Sequence, residues 1–267
     1  MPLKFGIMQG RLTRANPNVL QKFPANWSNE FNLIKKTNLD YIEFFTENKF
    51  NKKNPLWSKN GIQRIKKRVS RINHKEIIVC DNYVVSHSII KDKTERYLKS
   101  LIDQLSLFKK SKLIIPIVSN RLKDKNFLSS HIITIKKLLD YSKTKKVQLS
   151  FEIENELKIC EKICLNFSNN KNFGITFDVG NAYLFNKNFY TGFRPLKKFI
   201  NHIHIKDRDI NGKNVVLGTG KIKFKLFFKK LNSPKRYNGT ITFETNRGKN
   251  PIKIANSNYT IIKKSII

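Results

Sequence analysis

A (β/α)8 barrel is the fold class this sequence predicts, on three observations. Short apolar, β-branched runs recur eight times at roughly regular spacing. Amphipathic helical patterns fill most of the gaps between them. The length of 267 residues is near the size of about 250 residues that such a barrel needs. The runs are KFGIMQ, DYIEFF, EIIVCD, KLIIPIV, VQLSFE, FGITFD, HIHI and TITFE. Most are continuously hydrophobic, as parallel strands covered on both faces are. A doubly wound open sheet is the alternative, but no Gly-x-Gly-x-x-Gly follows the first run. No linker or low-complexity stretch breaks the pattern, so residues 1–267 read as a single domain.

The helical stripes follow the 3.6-residue period. Ile62, Ile65, Val69 and Ile72 make one, and Tyr97, Leu98, Leu101, Leu105 and Phe108 a second. Ile132, Ile135, Leu138 and Leu139 make a third, with Ser129 or Ser130 as its expected N-cap. Phe224, Phe227, Phe228 and Leu231 make a fourth, and the segment after Pro251 reads as either a last helix or a loose end. Cys160 and Cys164 share a helical face with Leu157, Ile163 and Phe167, and Cys80 lies in the third run. Three cysteines of this kind argue for core packing and against a disulfide framework.

Composition narrows the class further. A hydrophobic fraction of 39% with 20 Phe supplies a full core. No run of about 18 apolar residues offers a membrane span. The opening MPLKFGIMQGRL, with Arg11 and Arg14 close behind, is too polar for a leader, so a cytoplasmic location is expected. The net charge of +34 is carried by lysines scattered over the polar helix faces, alongside only 19 Asp and Glu. An AT-rich coding sequence would favour the abundant Lys, Asn and Ile, but it would raise the acids too, so it explains part of the charge. Such a field attracts anionic substrates or nucleic acid. No compact basic motif with interleaved aromatics singles out nucleic acid, and a small molecule is the expected partner. The sequence leaves a homo-oligomer open.

Four of the runs in the second half close on a chemically distinctive residue. Glu152 ends VQLSFE, Asp178 ends FGITFD, His204 lies in HIHI, and Glu244 ends TITFE. In a parallel barrel such positions converge at one mouth, where function sits. Three carboxylates and one imidazole form a hard ligand set suited to Mn²⁺, Mg²⁺, Co²⁺ or Zn²⁺. By strand alternation, Ser150, Thr176, His202 and Thr242 point the same way. Barrel interiors are normally filled by Val, Ile and Leu, so a polar layer here reads as support that orients ligands by hydrogen bonds. Gln9 and Arg11 share the mouth parity of the first run, Glu43 ends the second, Asp81 the third, and His87 follows closely. Gln9, Glu43 and His87 are candidates for substrate contact. Lys206, Arg208 and Arg247, just past the last two ligands, would suit a phosphate or carboxylate group. LGTG at 217–220 reads as a flexible loop near the mouth, and His74 and His131 are assigned no function.

The ordered motifs LSFE, FDVGN, HIHIKDR with LGTG, and YNGTITFE, with the opening GIMQGRL, resemble the xylose isomerase-like TIM barrels. The sugar-phosphate isomerase/epimerase branch is the nearest. The resemblance spans nearly the whole chain and is densest from residue 147 to 247. It implies one divalent metal held by Glu152, Asp178, His204 and Glu244, with the two glutamates doubling as acid and base. It further implies an activity on a ketose or sugar phosphate through an enediolate. Two positions depart from the family pattern. Asn181 replaces an often-histidine substrate contact and cannot shuttle a proton at neutral pH. Lys158 replaces a substrate-binding Glu, for which Glu154 or Glu156 could substitute. Two other activities share the scaffold. One is an inosose-type dehydratase, with which HIKD is compatible. The other is an endonuclease IV-like DNA repair enzyme, which the charge favours but whose three zinc ions need more ligands than five His and these acids offer. A barrel without catalysis is a further reading, opposed by the intact quartet.

Overall fold

The computed structural model describes residues 3–13, 23–118 and 120–266, so Arg14 lies outside the described residues. The eight apolar runs form one closed parallel barrel. Its strands are β1 (Lys4–Met8), β2 (Tyr41–Thr46), β3 (Ile77–Asp81), β4 (Ser111–Val118), β5 (Gln148–Glu154), β6 (Ile175–Asp178), β7 (Ile200–Ile205) and β10 (Thr240–Phe243). Each pairs with its neighbours in chain order, and β10 closes the ring onto β1. A two-stranded antiparallel ribbon, β8 (Asp207–Arg208) with β9 (Asn214–Val215), stands on the loop between β7 and β10.

Around the barrel run α2 (Lys59–Val69), α4 (Asp92–Ser106), α5 (Lys125–Thr144), α6 (Leu157–Leu165), α7 (Val179–Phe185), α8 (Phe224–Leu231) and α9 (Pro251–Ile266). Two single turns, α1 (Glu30–Leu33) and α3 (Tyr83–Ser86), complete the set. The expected stripes are the buried faces, although Ile72 and Phe108 fall just past the ends of α2 and α4. The segment after Pro251 is a helix, seated by Tyr259 edge-on to Phe5 with ring centroids 5.1 Å apart. All three cysteines are buried thiols. The cap of α5 differs from expectation: Asp124, not Ser129 or Ser130, accepts from the Phe127 N–H at 2.8 Å. Both serines sit inside the helix and donate back to the Lys125 and Asn126 carbonyls, which is how mid-helix serines satisfy their hydroxyls. No helix among the described residues is long and apolar enough to cross a membrane.

Strand alternation divides the apolar from the polar. Outward residues such as Phe44, Phe177, Ile203 and Phe243 meet the helices and make the core. Phe177, Phe189, Phe193 and Phe227 pack there with ring centroids 5.3–6.4 Å apart. Replacing fully buried Phe227 by Ala should cost about 3–5 kcal/mol. That appears as a lower urea midpoint at unchanged slope, and an unchanged midpoint would contradict this packing. Inward residues of β5, β6, β7 and β10 are polar instead and build the site, whereas Phe45, Cys80 and Ile114 line the β2–β4 side of the interior with apolar side chains.

Candidate metal centre

Neighbouring strands put the four sequence-predicted ligands side by side. Asp178 of β6 and Thr242 of β10 both pair in register with His204 of β7. Glu244 comes two residues after Thr242, its N–H still bonded to the Ile205 carbonyl at 3.0 Å. Glu152, Asp178, His204 and Glu244 each offer one ligand atom, and these atoms all lie within 4.8 Å of one another. His204 Nδ1 is the hub, 3.4 Å from Glu152 Oε2, 3.6 Å from Glu244 Oε2 and 4.0 Å from Asp178 Oδ2. Atoms so spaced can share one ion whose bonds are about 2.0–2.2 Å.

Whether the residues fit a metal is tested by their unsatisfied atoms. His204 Nδ1 is buried and forms no directed hydrogen bond, while Asp178 Oδ2, 4.0 Å away, is held in an ion pair by the Lys206 ammonium at 2.9 Å. Buried polar atoms are nearly always bonded, and an imidazole nitrogen left facing three carboxylates marks a position that a cation would satisfy. The donor set is oxygen-rich with one nitrogen, which suits a divalent first-row ion or Mg²⁺. A second group, Glu43 with His202 and His204, is also close-set. There, however, each imidazole Nε2 is already bonded to a Glu43 oxygen at 2.9 Å, so it is a hydrogen-bonded support rather than a ligand set.

Charge is partly offset within the cluster. The Lys206 ammonium lies 2.9 Å from Asp178 Oδ2 and 3.1 Å from Glu244 Oε2. Burial would drive Lys206 down, but Asp178, Glu244 and Glu152 overrule it and hold its pKa above the ordinary lysine value. Burial pushes Glu152 up, only partly opposed by His204. Burial acts on Glu244 too, yet Lys206 and His204 hold it below the usual carboxylate range. Burial would lower His204, but Glu43 and Glu152 raise it well above an ordinary histidine. His202, one layer below, is pushed down to about 4 by burial. Glu154, at the end of β5, is pushed up to about 8 by burial and by Glu152.

The other predicted residues divide. Asn181 is at the cluster: its N–H donates to Asp178 Oδ1 at 2.6 Å, capping α7, and its Nδ2 donates to Glu152 Oε1 at 3.2 Å. Gln9 is fully buried at the end of β1, with neither amide atom hydrogen bonded. Glu43 is not at the mouth. It is inaccessible, and both its oxygens are taken by His202, His204 and Thr242, which makes it a support for His204 in this structure. Arg208 is likewise turned inward. Its Nε, Nη1 and Nη2 donate to Gly180 O, Gly212 O and Asn181 Oδ1 at 2.8–3.0 Å. Arg247 is buried and donates from Nε to the Gly10 carbonyl, while Arg11 Nε donates to Thr245 O at 3.0 Å. The two arginines stitch the loop after β1 to the loop after β10. His87 stacks on Tyr83 with centroids 3.9 Å apart and is held at Nδ1 by the Tyr83 carbonyl.

One contribution escapes sequence reading, and two expectations are sharpened. Asp207 pins the LGTG loop, accepting from Gly218 N and Gly220 N at 2.9 Å each, so that loop is tethered rather than flexible; the Asp within HIKD is the available signal. Glu154 shares the inward parity of Glu152 and lines a pocket with Glu152, Asp178 and Asn181, whereas Glu156 is exposed and paired with Lys123. The polar layer supports the ligands only through Glu43. Ser150 and Thr176 bond each other at 2.7 Å instead.

A family model described as xylose isomerase-like TIM barrel matches residues 31–264. No curated protein matches the sequence. Among solved structures, the fold is similar to that of 3-keto-D-glucoside 4-epimerase from E. coli in its apo form. The TM-score is 0.73 at 15% identity, covering 98% of this chain and 100% of that one. It is also similar to D-psicose 3-epimerase from Clostridium cellulolyticum H10, solved with D-tagatose, with TM-score 0.77, 12% identity and 99% of both chains covered. A xylose isomerase-like TIM barrel protein from Mycobacterium smegmatis, in complex with magnesium, gives TM-score 0.68 at 14% identity, covering 99% of this chain and 96% of that one. At these identities the likeness is one of fold.

Proposed function

The chain belongs to the xylose isomerase-like TIM barrel family, and from that premise we propose that it is a divalent-metal-dependent isomerase or epimerase of a ketose or sugar phosphate. The observation that carries the proposal is the convergence of Glu152, Asp178, His204 and Glu244 within 4.8 Å. The epimerase and magnesium-complex descriptions of similar folds support the same reading. When bound, the ion supplies Lewis-acid stabilisation of the negative charge that develops beside a carbonyl as a C–H proton leaves.

The remaining chemistry falls to the chain's own residues. Isomerisation or epimerisation requires one group to take a proton from carbon and another to return it. Glu152 and Glu244 are the proposed pair. Burial holds Glu152 up, while Lys206 holds Glu244 down, and an acid and a base need environments that separate them in this way. Asn181 fixes the Glu152 carboxyl through Nδ2, and Arg208 fixes Asn181. Arg208 therefore acts as support for Asn181. Lys206 offers a cation beside developing substrate charge, and the unbonded amide of Gln9 is the proposed contact to a sugar hydroxyl.

The test is a panel of ketoses and ketose phosphates incubated with metal-loaded protein in D₂O. Deuterium should enter at a carbon next to the carbonyl of at least one substrate. Loss of water with a new absorbance would instead favour the dehydratase reading, and no exchange by a fully loaded protein across the panel would refute the proposal.

A further inference from the structure

A line of hydrogen bonds crosses the barrel interior from floor to mouth. At the floor, near the starts of β4, β7 and β10, Lys112 Nζ donates to the Asn201 carbonyl at 3.0 Å and to Thr240 Oγ1 at 3.1 Å. Thr240 Oγ1 lies 2.6 Å from His202 Nδ1. His202 Nε2 lies 2.9 Å from Glu43 Oε2, and Glu43 Oε1 lies 2.9 Å from His204 Nε2. Above that point stands His204 Nδ1, buried, without a hydrogen bond and facing Glu152 and Glu244. Lys112 and Thr240 are buried, and His202, Glu43 and His204 are inaccessible, so the line is shut off from bulk solvent.

With Lys112 charged and Glu43 ionised, the direction of each bond follows. A lysine ammonium only donates, and an ionised carboxylate only accepts. Thr240 Oγ1 therefore receives from Lys112, and its own hydrogen is free for His202 Nδ1. His202 Nδ1 accepts, so its proton sits on Nε2 and points at Glu43. Thr242 Oγ1 also donates to Glu43 Oε2, at 2.5 Å, and the Tyr41 hydroxyl, 2.9 Å away, donates to Thr242. With its two oxygens accepting three such bonds, Glu43 can only receive from His204, so a proton is held on Nε2 and Nδ1 is the nitrogen left to face the cluster and serve a metal in place of its own proton.

We propose that this relay, from Lys112 through Thr240, His202 and Glu43, sets the tautomer in which His204 presents Nδ1 to the metal centre, so that Lys112, Thr240 and His202 are positioning residues for a ligand they do not touch. The inference rests on the reading of His204 as a metal ligand. Its rationale is cost: a polar chain replaces the branched apolar layers usual in barrel interiors, and such a chain stabilises only when every member is satisfied. One reversed bond leaves an unpaired donor or acceptor in a buried interior, and the correction propagates to His204.

The experiment combines metal titration with ¹H–¹⁵N long-range spectra of protein labelled at histidine nitrogens. In metal-free wild type, His202 should show a protonated Nε2 and a bare, hydrogen-bonded Nδ1. In the magnesium-loaded protein, His204 should carry its single proton on Nε2. Thr240→Val should remove the His202 signature and weaken Mn²⁺ binding by about 10-fold or more, the scale of losses beyond the direct ligands. Lys112→Met should move both readouts the same way, while Thr240→Ser, which keeps the hydroxyl, should restore them. A His202 protonated on Nδ1 in wild type overturns the relay whether or not any variant folds. So does Thr240→Val binding Mn²⁺ as tightly as Thr240→Ser. Wild type that binds no divalent ion would defeat the metal reading itself, and the His202 spectrum would still decide the direction of the relay.

Discussion

Changing Glu152 or Glu244 to Gln is expected to cut turnover at least about 10²-fold, or roughly 2.7 kcal/mol of barrel-mouth catalysis at about 1.4 kcal/mol per tenfold. Glutamine keeps the shape and one oxygen donor but cannot accept or deliver a proton at neutral pH. The two variants differ in what else they disturb. Glu152 is held by Asn181, and an amide there can flip to preserve that bond. Glu244 is bonded to Lys206, and removing its charge leaves the buried ammonium facing Asp178 with less compensation. Glu244→Gln should therefore lose more stability than Glu152→Gln. Metal content measured alongside turnover separates the roles: full loading with slow turnover marks an acid or base, and lost loading marks a ligand. Near-normal rates for both variants on a true substrate would remove them from the mechanism.

Filling the centre should stabilise the protein by about 2.7 kcal/mol at an ion concentration 100 times the dissociation constant. For a chain of this size that corresponds to a rise in Tm of roughly 5–10 °C. The reason is electrostatic. Glu152, Asp178 and Glu244 crowd around one buried point, with Lys206 and His204 as the neighbouring positive or protonatable groups. A divalent ion adds charge where the carboxylates repel one another and where His204 Nδ1 lacks a hydrogen bond. A chelator should reverse the shift, and Asp178→Asn should shrink it. A melting temperature indifferent to Mn²⁺, Mg²⁺, Co²⁺ and Zn²⁺ would leave the cluster without a metal.

The ligand quartet is legible in the sequence because each member closes a β-branched run, and chain order alone tells which runs are neighbours in a barrel. What a side chain meets across the barrel is not legible that way. Reading the second run as ending at Glu43 assigns it to the mouth, but β2 continues to Thr46 and Glu43 lies in mid-strand. Its fate is decided by His202 and His204, about 160 positions away in the chain, reached only once the sheet closes. The loop cations mislead for a similar reason. Arg208 and Arg247 follow strand ends and read as anion hooks, but backbone carbonyls of Gly180, Gly212 and Gly10 lie within their reach, and loop carbonyls leave no trace in side-chain pattern. Ser129 and Ser130 misplace the start of α5 because apolar periodicity is weak in its first turn, where Asp124 supplies the cap.

The most direct test of the central claim is an anomalous-scattering crystal structure of the Mn²⁺-loaded protein. One ion should lie about 2.0–2.2 Å from His204 Nδ1 and from one carboxylate oxygen each of Glu152, Asp178 and Glu244, with Glu43 still bonded to His204 Nε2. An ion held elsewhere, or a fully loaded crystal with no anomalous peak between those four residues, would contradict the account.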